Sequence, residues 1–161
     1  MSYPPPRYPE GDGEVSARLR RADATPELVN STGGGCSYLA TGASTNGQFG
    51  LYRWDMAGAG GPAPHFHRTI SESFFVLSGT VRLYDGNGWT DATAGDFLYV
   101  PEGGIHAFRN DSGEPASMLI LFAPGAPRED YFETLADAAR REAMDEEARA
   151  AFFLRHDTFW V

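Results

Sequence analysis

Between residues 37 and 122, apolar positions come in short runs broken by Gly, Asn and Pro: SYLATG, QFGLYRWDM, SESFFVLSGTVRLYDGNGW, DFLYVP, HAFRN and ASMLILFAP. Such runs, with no helical period between them, predict a series of strands in a sandwich or barrel. LYRWDM alternates strictly. Tyr52, Trp54 and Met56 fall on one face and Leu51, Arg53 and Asp55 on the other, as a half-buried strand requires. Asp85-Gly86-Asn87-Gly88 stands between two of these runs and predicts a hairpin turn.

After Pro124 the period changes. The segment PREDYFETLADAARREAMDEEARAAFFLRHD has no Gly, and no Pro beyond Pro127. Tyr131, Phe132, Leu135, Ala138 and Ala139 recur at helical spacing. Pro127 suits a first helical position, and Glu129 and Asp130 suit the positive end of the helix. A second helix is expected to begin near Asp145 and to carry Phe152 and Phe153. The apolar stripe reads as packing, over a barrel face or mouth or against a partner subunit. Residues 1 to about 14 are rich in Pro, Gly and charge and predict an arm outside the core.

These segments divide the chain into an N-terminal arm with the first edge elements (1–35), a barrel (36–124) and a helical tail (125–161) of the same domain. With 161 residues, one domain is the expected count.

Composition narrows the functional classes. There is no lysine, and the net charge is −9. That balance argues against a nucleic-acid partner and against an anionic membrane surface. A single cysteine, Cys36, leaves no disulfide framework and no cysteine-based zinc site. No apolar run has the length of a membrane span, and none near the N-terminus resembles a signal peptide. A cytoplasmic protein is expected.

The chemistry concentrates in GGPAPHFHRTISESFFVLSG, residues 60–79. In a strand, His65 and His67 point to one face, which aims two imidazoles at one point. Glu72 lies an odd number of residues beyond His67, so a turn or bulge over RTIS must intervene before Glu72 can point inward. On its own, an H-x-H pair is weak evidence. Residues 95–110, GDFLYVPEGGIHAFRN, add Gly95, Pro101, Gly103, His106 and Asn110. These match G-x5-P-x-G-x2-H-x3-N without a departure; from composition, the chance of that match is on the order of 10⁻⁴.

That pattern is the second signature of the cupin family, and the chain resembles a single-domain cupin. The first signature, G-x5-H-x-H-x3,4-E-x6-G, is met at His65, His67, Glu72 and Gly79. It departs at the leading glycine, where Ala59 stands among Gly58, Gly60 and Gly61. The resemblance implies an antiparallel double-sheet jelly-roll barrel with a metal in its cavity, and His65, His67, Glu72 and His106 as ligands. Three imidazoles and a carboxylate suit one divalent first-row ion such as Fe, Ni, Mn, Co or Zn. They leave coordination positions open, as catalytic sites do.

By alternation Glu72 shares a face with Phe74 and Val76, and His106 with Phe108. Tyr52, Phe74, Phe108 and Phe122 are therefore candidate walls of an aromatic substrate pocket; core packing is the alternative for each. Coordination lowers the pKa of an enol or phenol as it does that of water, and Glu72 is placed to act as the base. The chain further resembles bacterial cupins similar to quercetin dioxygenases, also along LFAPGAPREDYFETLA. This implies a dioxygenase that takes O₂ and an enolisable or phenolic, flavonol-like substrate. Two alternatives stand beside it: a non-oxidative metal-dependent isomerase, cyclase or lyase, and a small-molecule binder without activity. Sheet edges that need cover point to a homo-oligomer, expected to be a dimer.

Overall fold

The computed structural model describes residues 2–8, 10–30, 33–141 and 144–161, without the side chains of residues 138–141. The larger of its sheets has six strands, in the order β1-β2-β3-β10-β5-β8. These are β1 (Leu28–Val29), β2 (Gly35–Ala40), β3 (Gly50–Met56), β10 (Ala116–Ala123), β5 (Ser71–Ser78) and β8 (Phe97–Val100). Facing it are β7 (Trp89–Thr93), β6 (Thr80–Tyr84) and β9 (Ala107–Arg109), in that order, and a pair formed by β4 (His65–Phe66) and β11 (Phe159–Trp160). A bridge between His65 and His106, at the start of β9, joins the two smaller sheets. All pairings are antiparallel.

Alternation decides what each strand buries. In β5, Glu72, Phe74 and Val76 point inward while Phe75 and Leu77 face out; in β10, Met118, Ile120 and Phe122 point inward. Val81, Leu83, Ala92 and Phe108 meet them from the opposite face. The hairpin falls where DGNG predicts it. Tyr84 pairs with Trp89, and the Asp85 carboxylate accepts from the N–H groups of Asn87 and Gly88.

The tail carries α1 (Arg128–Arg141) and α2 (Glu146–Arg155). Helix α1 begins one residue after Pro127, and Asp145 caps α2 by accepting from the Ala148 N–H at 2.8 Å. Tyr131 and Phe132 are buried and Leu135 partly so. Phe132 packs on Tyr52 and Trp54, and Tyr131 stacks on Phe152 at 5.4 Å. The stripe thus lies over the barrel. The side chains of Ala138 and Ala139 lie outside the described residues. The tail does not end in helix: β11 returns to pair Phe159 with Phe66 and Trp160 with His65. Two residues carry too little periodicity for the sequence to announce such a strand.

Candidate metal centre

The ligand-type residues arrive from all three sheets. His65 lies in β4, His67 in the turn that follows, and His106 just before β9. Glu72, the second residue of β5, faces them from the larger sheet. The turn over residues 67–70 corrects the phase between His67 and Glu72, as the spacing required. Each of the four is at most 5% exposed, and one donor atom from each lies within 4.8 Å of the others.

The two sequence signatures are bonded to each other. Gly103 adopts φ 82° and donates its N–H to the His67 carbonyl at 2.7 Å. That backbone region is costly for any residue with a Cβ. Gly60, at φ 99°, accepts from the Asn110 N–H at 3.0 Å. It supplies, one position later, the freedom that Ala59 lacks. The Asn110 side chain is consumed locally: its amide donates to the Glu114 carbonyl, and its oxygen accepts from Ser112.

Each imidazole has its Nδ1 held by a backbone carbonyl: His65 by Ala63 at 2.9 Å, His106 by Gly104 at 2.9 Å and His67 by Asp157 at 2.6 Å. Nδ1–H donates in each case, so Nε2 is left to face inward. This outer layer of carbonyls is the arrangement that fixes tautomer and ring angle in metal sites. Glu72 Oε2 lies 3.1 Å from His67 Nε2 and 2.8 Å from His106 Nε2. Inward-facing imidazole lone pairs crowd a carboxylate oxygen, which is unfavourable unless a proton or a cation joins them. The donor set therefore fits a divalent ion.

Electrostatics agree. Burial, with His106 next in weight, pushes the His65 pKa down to about 4, which keeps that ring neutral. Burial also lowers His106, but the Glu72 hydrogen bond outweighs it and the net direction is up. Burial raises Glu72, yet the hydrogen bonds from His106 and His67 win and hold it well below the usual carboxylate range.

His65 and Glu72 form part of the wall of a cavity of about 810 Å³, a size suited to a small organic molecule. Trp54, Met56, Phe108, Ile120 and Phe122 line it from the barrel; Arg128, Tyr131, Phe132, Leu135, Phe153 and Trp160 line it from the tail. Of the four aromatic candidates, Phe108 and Phe122 are in this wall. Tyr52 and Phe74 are not among its lining residues. Tyr52 is fully buried between Tyr38, Phe122 and Phe132, with its hydroxyl donating to Glu129. Phe74 packs behind His106 and Phe108. Both point inward, but into the filled part of the barrel.

Sequence reasoning missed the tail's contribution. Asp157, at φ 53°, accepts on its carboxylate from the N–H groups of Arg68 and Thr69 and from the Thr69 hydroxyl. The Trp160 ring lies 5.1 Å from that of His65. Arg68, in the turn, sits over Phe159, and Ser71, the first residue of β5, donates to the Ala123 carbonyl; neither lines the cavity. No local signal marks Asp157 or Arg128, since both act across the fold.

Residues 52–122 match the family described as cupin domain. Over 99 residues the chain is 29% identical to quercetin 2,3-dioxygenase of Bacillus subtilis, covering 62% of this chain and 29% of that protein. The chain spans between 29% and half of the length of the curated relatives it matches. Among solved structures, a predicted oxalate decarboxylase from Thermotoga maritima superposes with TM-score 0.58 at 19% identity, over 67% of this chain and 99% of that one. A cupin 2 conserved barrel domain protein from Salinispora arenicola gives TM-score 0.55 at 20% identity, over 74% and 99%. The structural likenesses establish the fold. Within the described residues, no helix is long and apolar enough to cross a membrane.

Proposed function

Because the chain belongs to the cupin family, we propose that it is a metal-dependent enzyme that dioxygenates an enolisable or phenolic, flavonol-like small molecule. One observation carries this reading: a buried cluster of three histidines and a glutamate whose His65 and Glu72 open onto an aromatic cavity. The similarity to a quercetin 2,3-dioxygenase supports the oxidative form of the reading.

Nε2 of His65, His67 and His106 and the Glu72 carboxylate would hold a divalent first-row ion. That ion supplies Lewis acidity that lowers the pKa of a substrate enol or phenol. The carbonyls of Ala63, Gly104 and Asp157 keep the imidazoles aimed inward. Glu72 enters the reaction ionised and is the group placed to take the substrate's hydroxyl proton on its carboxylate. Phe108, Phe122, Phe132 and Trp160 give the cavity apolar walls that exclude water from the reacting oxygen.

Elemental analysis of the purified protein, followed by an oxygen-electrode screen against flavonols and related enols, tests the proposal. Metal-dependent O₂ uptake supports it. Turnover under argon points instead to an isomerase, cyclase or lyase, and tight binding without turnover to a binding protein. Protein that retains no metal, even when supplied with it, removes the basis of the reading.

A further inference from the structure

Arg128, the first residue of α1, is 4% exposed and lines the same cavity as Glu72. Of its five N–H donors, one Nη1–H is used by the His156 carbonyl at 3.0 Å, and the Tyr131 hydroxyl is a second, neutral partner. Its buried Nε has no hydrogen-bond partner. The guanidinium lies 4.0 Å from the centre of the Tyr131 ring and 4.9 Å from that of Phe122. Aromatic faces attract a cation without neutralising it. Among the described residues, Arg128 is in ion-pair contact with no carboxylate.

An unpaired guanidinium is costly to bury. The other charged side chains of the wall offset it only in part. Asp55 is paired with Arg53 at 3.0 Å, and Glu146 and Arg149 stand on an exposed face of α2 with opposite signs. Glu72 attracts the guanidinium, but the same carboxylate is shared with His67 and His106. With a divalent ion in place, one carboxylate faces the ion and the guanidinium together, and positive charge remains uncompensated.

We propose that Arg128 is the anion-binding residue of this cavity, and that the substrate is a small organic acid whose oxyanion pairs with the guanidinium while a second oxygen reaches the metal centre. This rests on the reading of the site as a metal enzyme and adds the charge of the substrate to it. A guanidinium also offers planar, bidentate pairing with an oxyanion that an ammonium cannot. The oxyanion is a carboxylate or another acid group; the cavity's apolar walls receive the rest of the molecule.

The test compares two ligands of the same shape, 3,4-dihydroxybenzoate and 3,4-dihydroxybenzamide, which differ in one charge and share the diol. Both are titrated calorimetrically into metal-loaded wild-type protein, Arg128→Met and Arg128→Lys. Wild type is expected to bind the acid at least tenfold more tightly than the amide. Arg128→Met should bring that ratio close to one with metal content unchanged. Arg128→Lys should keep part of it. Repeating the titrations after chelation separates the guanidinium's charge from the ion's: the preference for the acid should persist there in wild type. A wild-type ratio near one, a ratio equal in wild type and Arg128→Met, or a preference that vanishes on chelation overturns the proposal. Should Arg128→Met not fold, an Arg128→Lys ratio equal to that of wild type does so. Failure of the underlying enzymatic reading would register elsewhere, as absent metal or absent turnover.

Discussion

The Nδ1 of His67 lies 2.6 Å from the backbone carbonyl of Asp157, a residue ninety positions later in the chain. A ligand from one sequence signature is thus aimed by a turn that belongs to neither. Asp157 is itself fixed in the left-handed region, with its carboxylate bonded to the backbone of Arg68 and Thr69. One residue therefore grips both the metal-side turn and the imidazole on it.

Asp157→Ala should weaken metal binding by about 10- to 100-fold, the range seen when outer partners of ligating histidines are lost. Alanine drops the carboxylate bonds and disfavours φ 53°. Asp157→Asn, which tolerates that backbone region and keeps an oxygen acceptor, should cost less. Competition with a chelator measures both. Equal affinity in Asp157→Ala and wild type would show that the tail does not position His67.

Removing a ligand should separate the site from the scaffold. His106→Ala is expected to abolish metal retention by elemental analysis while the protein remains a folded β structure by circular dichroism. Glu72→Gln should reduce turnover more than metal affinity, because the amide can still present an oxygen but cannot take a proton. Parallel losses in both would reduce Glu72 to a ligand alone.

Much of this centre was legible in the sequence because it is written in local spacing. The i, i+2 histidines, the phase-correcting RTIS turn and the alternation through Glu72, Phe74 and Val76 all follow from a strand's two-residue period. What stayed hidden depends on distance along the chain. Nothing local marks Arg128, which is buried by the rings of Phe122 and Tyr131 and by the return of His156 beside it. Alternation correctly turned Tyr52 and Phe74 inward, but it does not distinguish the packed end of a barrel from its open end. Helix α1 makes that distinction by laying Phe132 against Tyr52.

The placement of Tyr52 has a measurable consequence. Its hydroxyl donates to the Glu129 carboxylate, and burial, with that hydrogen bond next in weight, raises its pKa beyond the usual tyrosine range. Tyr52→Phe should lower stability by about 1.5–3 kcal/mol, the range for hydrogen bonds to charged groups. A denaturant titration reads this loss, and metal content should be unchanged. Loss of substrate affinity with full stability would instead return Tyr52 to the cavity wall.

Metal uptake should release a proton near neutral pH. Against the lowering effect of burial, Glu72 holds the metal-free His106 above the ordinary histidine value near 6.5, with the extra proton on Nε2. An ion can bind only when that proton leaves. Because the free state carries more protons than the loaded one, affinity must rise with pH. The rise should continue through the elevated His106 value and level off above it. His65, already neutral down to about pH 4, adds no dependence in that window. Calorimetry in buffers of different ionisation enthalpy counts the proton directly. Affinity that is flat from pH 6 to 8, with no proton released, would mean that Glu72 does not hold His106 protonated in the metal-free site.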